Sequence, residues 1–269
     1  MNKKNGEAQI RANKKKGIAV GAGLTLFVLG VIITVVTRSG ALAENAEASN
    51  KVSFALGLIM TLVGIVIPIV ASVPEKKKTD VRTLSMAALF AALCYIGFTY
   101  CKIDIPVGME KTAFHLGNVF CVLAALFLGG FWGGMAGAVG MTIADLTTAY
   151  VTSAPKTFVL KLCIGLITGL IAHKIFRISH EDKRKVPLSV ATVLSCAGGM
   201  AFNVVADPVV GYFYKMYVLG VPQKAATIWA KMGAVTTAVN AVVAVIVATV
   251  LYLAIRPALK RSKLLPYVK

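Results

Sequence analysis

Acidic residues are scarce in this chain: 11 aspartates and glutamates stand against 29 lysines and arginines, a net charge of +18. Histidine is scarcer still, and none of the three, His115, His173 and His180, has metal-ligand spacing to another. The five cysteines, Cys94, Cys101, Cys121, Cys163 and Cys196, occur singly with no CxxC. That excludes a zinc ribbon or a disulfide framework and leaves them as small buried hydrophobes. There is no GxxxxGK[ST], so the chain has no phosphate-cradling loop of its own with which to hydrolyse ATP. There is also no HExxH and no GxSxG, so no enzyme assignment is made. The basic excess forms no stripe with interleaved aromatics on a soluble segment, which argues against nucleic acid as a partner.

What is abundant is apolar sequence. The chain is 57% hydrophobic with a mean hydropathy of +0.77, and apolar runs of about twenty residues recur, the length that crosses ~30 Å of hydrocarbon. The expected class is an all-α integral membrane protein in a lipid bilayer. Eight spans are expected, at 17–37, 52–73, 83–100, 114–128, 133–150, 157–175, 187–214 and 225–256, the last two long enough to tilt or extend beyond the bilayer. The basic residues cluster ahead of the first span, after the second, in the 176–186 loop and after the last. With an even number of spans these clusters fall on one side, which makes that side, and both termini, cytoplasmic.

A lysine-rich start, an apolar run and then "ALAEN" at 41–45 imitate a cleavable signal peptide, but a run of about twenty residues exceeds the usual h-region, which favours a retained helix. The charged stretch "PEKKKTDVR" sets the first two helices apart from the rest. The expected organisation is therefore a basic cytoplasmic tail at 1–16, a two-helix transmembrane hairpin at 17–73, a charged linker at 74–82, a six-helix bundle at 83–256 and a second basic tail at 257–269.

Ionisable groups inside such spans are costly, by ~2.5–3.5 kcal/mol at the bilayer centre on insertion scales, unless they pair or line a watery cavity. At ~1.5 Å per residue, His115, Asn118, Asp145, Lys161, Asp207 and Lys231 all fall in the outer half of the membrane. Asn203 and Asp207, four apart, share a helix face, and Pro208 weakens the turn ahead of it. Two readings coexist. The charges can pair between helices, Asp145 with Lys161 and Asp207 with Lys231, or they can line an outward-facing pocket for a polar small molecule. Asn240 lies deeper, where an interhelical hydrogen bond serves as well as a ligand contact. Aromatics gather on the same side, and the 101–113 loop is long enough to fold over a pocket.

The inner half is rich in small residues. Ala87 and Ala91, Ala88 and Ala92, Gly129 and Gly133, Gly133 and Gly137, and Gly165 and Gly169 all have small-xxx-small spacing, which lets helices approach closely, within the bundle or on a second membrane protein.

Over 114–176 the sequence resembles the substrate-binding S components of energy-coupling factor (ECF) transporters, in the broad riboflavin-type branch. The pieces that carry the resemblance are "HLGN" at 115–118, the glycine-rich turn at 129–134, "ADL" at 144–146 and "APKTFVLK" at 154–161. It covers about 83–256 and implies a six-helix S-component bundle in a bacterial plasma membrane, here preceded by the two-helix hairpin. The resemblance further implies capture of a vitamin or vitamin precursor from outside, and docking on a membrane-embedded T component attached to two cytoplasmic ATPase subunits. ATP and Mg would be used by those partners, with no cofactor or metal in this chain. Carried over by position, Ala87, Ala88, Ala91 and Ala92 would meet the T component and the 101–113 loop would gate the pocket. His115, Asn118, Asp145, Lys161, Asn203 and Asp207 would line it. Related members often carry Asp at the Asn118 position, a departure that leaves the ligand class open. An autonomous ion-coupled transporter, with Asp145 or Asp207 as proton carrier, and a membrane scaffold are the alternatives. The related halves and broken midplane helices common in the former are not evident here.

Overall fold

The computed structural model describes residues 80–108, 110–180 and 184–262, with a few scattered positions between 18 and 33. The chain divides into two compact units, Met1–Glu75 and Lys76–Lys269, and the candidate site lies within the second. The expected tail at 1–16, the hairpin at 17–73 apart from those scattered positions, and most of the linker at 74–82 lie outside the described residues.

The first described helix, α1 (Val81–Thr99), starts inside the expected linker because Asp80 caps it, its Oδ1 accepting from the Arg82 N–H at 3.4 Å. Two strands follow, β1 (Lys102–Val107) and β2 (Glu110–His115), then α2 (Gly117–Leu128), α3 (Gly130–Leu146), a short 3₁₀ turn, and α4 (Ala154–Leu170), which ends in a π-helical turn at Ile171–Ile175. Helices α5 (Leu188–Tyr217) and α6 (Gln223–Arg261) complete the unit. Helix α6 passes through Pro257 to Arg261, so the expected tail at 257–269 begins as helix. Among the described residues, four segments are long and apolar enough to cross a membrane: α1, Val151–Ile175, α5 and α6. With the shorter apolar α2 beside them, they make this a multi-pass membrane protein.

The stretch 101–113, expected to be a loop, instead forms most of an antiparallel hairpin, in register from Lys102 opposite His115 to Val107 opposite Glu110. The structure is thus mainly helical but not purely α. "KIDIPV" alternates in polarity with a period near two, the pattern of a strand, and Gly108 at φ +63 allows the turn.

Helix α2 is the centre of the bundle. Almost every residue from Gly117 to Leu128 is buried, and α1, α3, α4 and α6 all pack on it. A helix apolar on every side belongs inside. Gly129, at φ +80, reverses the chain between α2 and α3, a conformation that only glycine adopts without strain. Gly133 then lies on Ala125, Gly134 on Gly165, Gly130 on Gly169 and Gly140 on Ala91, backbone against backbone. These small residues are therefore used up in packing α1, α2, α3 and α4 together. The C-terminal end of α2 is locked separately: His173 lies 3.1 Å from the Ala125 carbonyl and 2.6 Å from Ser179 Oγ, while the Arg256 guanidinium donates to Ile178 O at 3.0 Å.

Candidate substrate-binding site

At the other end of α2, under the β-hairpin, lies a cavity of about 140 Å³, with walls from the hairpin and all the helices α1 to α6. The motif "HLGN" contributes His115 and Asn118 to its lining. Gly117 donates its N–H to His115 Nδ1 at 3.2 Å, so that nitrogen is an acceptor and the ring is neutral with its proton on Nε2. A Cβ at Gly117 would sit tightly against His115, Met141 and Phe98, each 3.2 Å away, and would press on them. Glycine makes that fit without displacing them, and the turn delivers Asn118 to the cavity lining with 1% of its surface exposed.

The hairpin is fastened down from α6. Asn240 uses both ends of its amide: Oδ1 accepts from the His115 N–H and Nδ2 donates to Ala113 O, each at 3.0 Å. Trp229 Nε1 donates to Val107 O at 3.0 Å beside the Gly108 turn. A third link comes from the other side, where Tyr150 donates its hydroxyl to Asp104 Oδ1 at 2.9 Å. Phe98 stacks edge-on against both His115 and Tyr150, at 4.6 and 5.5 Å between ring centroids. These rings form an aromatic wall.

The polar side of the cavity centres on Asp207. Its Oδ1 accepts from Lys156 Nζ at 2.8 Å and its Oδ2 from Thr237 Oγ1 at 2.9 Å, which ties α5 to α4 and α6. Asp145 and Lys161 line the same cavity and are 2% and 7% exposed. No ion pair joins them among the described residues, and Oδ2 of Asp145 is buried without a hydrogen-bond partner. The Oδ1 atoms of Asn118 and Asn203 share that condition. Buried polar atoms without partners are uncommon in native structures, and here three of them belong to residues that line one cavity.

The structure brings together His115, Asn118, Asp145, Lys161, Asn203 and Asp207, residues from β2, α2, α3, α4 and α5. It does not bring Lys231 to them. That side chain is exposed and off the lining, because α6 presents Trp229, Ala230, Gly233, Thr236, Thr237 and Asn240 to the cavity, and one step beyond Ala230 rotates a helix by about 100°. Both ion pairs expected from the sequence are absent among the described residues; Lys156 takes the place of Lys231 beside Asp207. Lys156, Thr237 and Trp229 line the cavity and were not singled out from the sequence. The 3.6-residue periodicity of the α6 face was a legible signal for Thr237 and Trp229. Nothing in sequence spacing pairs Lys156 with a residue 51 positions away.

The family model described as ECF-type riboflavin transporter, S component, matches residues 78–257, a range that contains every residue of this cavity. No curated protein and no solved structure matches the chain.

Proposed function

The chain belongs to the ECF-type riboflavin transporter S-component family, and on that premise we propose that it is the capture subunit of an ATP-driven uptake system. It takes a vitamin or vitamin precursor into the cavity from outside and docks on a T component carrying two cytoplasmic ATPase subunits. ATP and Mg belong to those partners. The family is one of transport substrate-binding subunits, not of enzymes. The reading places the protein in a bacterial plasma membrane with both termini cytoplasmic, α1 to α6 as a six-helix transmembrane bundle, and the 17–73 hairpin as an added anchor or partner contact.

The observation that supports this most is the convergence of the buried polar residues named above. Burying an unpartnered polar group costs about 1–3 kcal/mol, so a cavity lined by three residues with such atoms is built for something other than stability. The hairpin that roofs it is held to α6 by a few side-chain hydrogen bonds, which suits a gate that opens to admit cargo.

Native mass spectrometry of the gently purified protein, followed by thermal-shift screening against riboflavin and other vitamins, tests the proposal. The expected result is one retained or strongly stabilising vitamin. Uptake into proteoliposomes by this chain alone, driven by an ion gradient without ATP, would favour a secondary transporter instead.

A further inference from the structure

Resting on the capture reading, we propose that the cargo is an acid: it carries a carboxylate or phosphate group that Lys161 binds, beside N–H or O–H groups that Asn118, Asp145 and Asn203 receive. The argument begins with what the cavity's charges already do. Four lysines and two aspartates line it. Lys156 is held by Asp207, whose second oxygen is occupied by Thr237. Lys215 lies over the Trp229 ring at 4.4 Å, and Lys111 is exposed on the hairpin. Lys161 differs from all three. It comes from the middle of α4, is 93% buried by its 7% exposure, faces the cavity, and forms no ion pair among the described residues.

A buried ammonium that no carboxylate contacts directly is costly, even with Asp145 and Asp207 lining the same cavity. Asp145 lines the same cavity, yet no ion pair joins the two among the described residues, and the acid's Oδ2 is left without a donor. An anionic group arriving on the cargo completes Lys161. Donors arriving on the same molecule complete Asp145 and, since an amide can present either end, Asn118 and Asn203. A neutral cargo would meet the acceptors but leave the lysine uncompensated.

Matched acid and neutral compounds test this on the full chain in nanodiscs by titration calorimetry: pantothenate against panthenol, biotin against biotinamide, and riboflavin 5′-phosphate against riboflavin. The first two pairs report on a carboxylate and the third on a phosphate. The acid of at least one pair is expected to bind at least tenfold more tightly than its neutral partner. Lys161→Met should reduce that preference to less than threefold, and Lys161→Arg should keep most of it. A neutral compound binding as tightly as its acid in every pair that binds overturns the inference and leaves the capture reading standing, as does a preference that survives Lys161→Met. If Lys161→Met does not fold, the wild-type comparison still decides whether the cargo is an acid, and Lys161→Gln takes the place of the methionine variant. If none of the six binds, the mass of any molecule retained in the native spectrum decides: a retained acid supports the inference and a retained molecule without an acidic group overturns it. No binding and no retained molecule overturns the inference, and the wider vitamin screen then decides the capture reading separately.

Discussion

Asn240 shows how much one side chain can decide in a low-dielectric interior. Its amide satisfies an N–H and a C=O of β2 at once, and no other residue type of that size offers a donor and an acceptor at the required spacing. Asn240→Leu should leave both backbone groups without their partner, each at about 1–3 kcal/mol, and loosen the hairpin. Deuterium exchange followed by mass spectrometry should then show faster exchange over Ala113 and His115 with little change in the C-terminal half of α2; unchanged exchange at the hairpin would remove the pinning role. The sequence left Asn240 open between structure and ligand, and it does the former while lining the cavity. The same scale explains the failure at Lys231. A lysine two turns into a span reads as buried, but whether it turns inward depends on helix phase, and a phase error of one residue sends it outside. Lys156, next to Pro155 at the start of α4, reads as an interfacial lysine and becomes visible as Asp207's partner only when α4 and α5 are laid side by side.

The elements differ in how plainly the sequence announces them. Helix α2 was legible as a continuous apolar run, and α5 and α6 as long ones, because membrane helices need only length and hydropathy to be seen. The hairpin was not, since six-residue strands carry a weak signal and sit between two strong helical ones. Its closing contact is equally non-local: Trp229 reaches Val107 across 122 positions. Trp229→Phe keeps an aromatic ring at that place and removes only the N–H. Once a cargo is identified, this variant is expected to show association and dissociation both faster by several-fold with a smaller change in Kd, because the substitution weakens the closed roof more than the cavity wall. Stopped-flow binding measures it, and unchanged rates would mean that the hairpin does not gate entry. The small-residue pattern was legible as pattern only. Sequence could not say which glycines serve packing inside the unit, and the structure assigns Gly133, Gly134, Gly140, Gly165 and Gly169 to that purpose.

For the whole molecule, the sorting of small residues also separates what holds the bundle together from what is left to meet a partner. Ala87 is buried and Ala91 is covered by Gly140, so this pair faces into the unit. Ala88 and Ala92, one residue further round α1, are exposed, with Ser85 and Leu89 beside them. Of the four alanines that the resemblance nominates, only this second pair has a surface to offer a T component. An exposed alanine face on a membrane helix lets another helix approach closely, whereas leucine at the same sites would hold it away. Ala88→Leu with Ala92→Leu should therefore abolish copurification with a coexpressed T component and its ATPases while cargo affinity in the isolated subunit stays within about twofold. Ala87→Leu supplies the contrast. It forces a larger side chain into a packed interface, for which overpacking costs typically ~1–3 kcal/mol, so it should lower thermal stability before it touches assembly. If the double leucine variant still forms the complex, the docking face lies elsewhere on the molecule, and α1 serves the bundle alone.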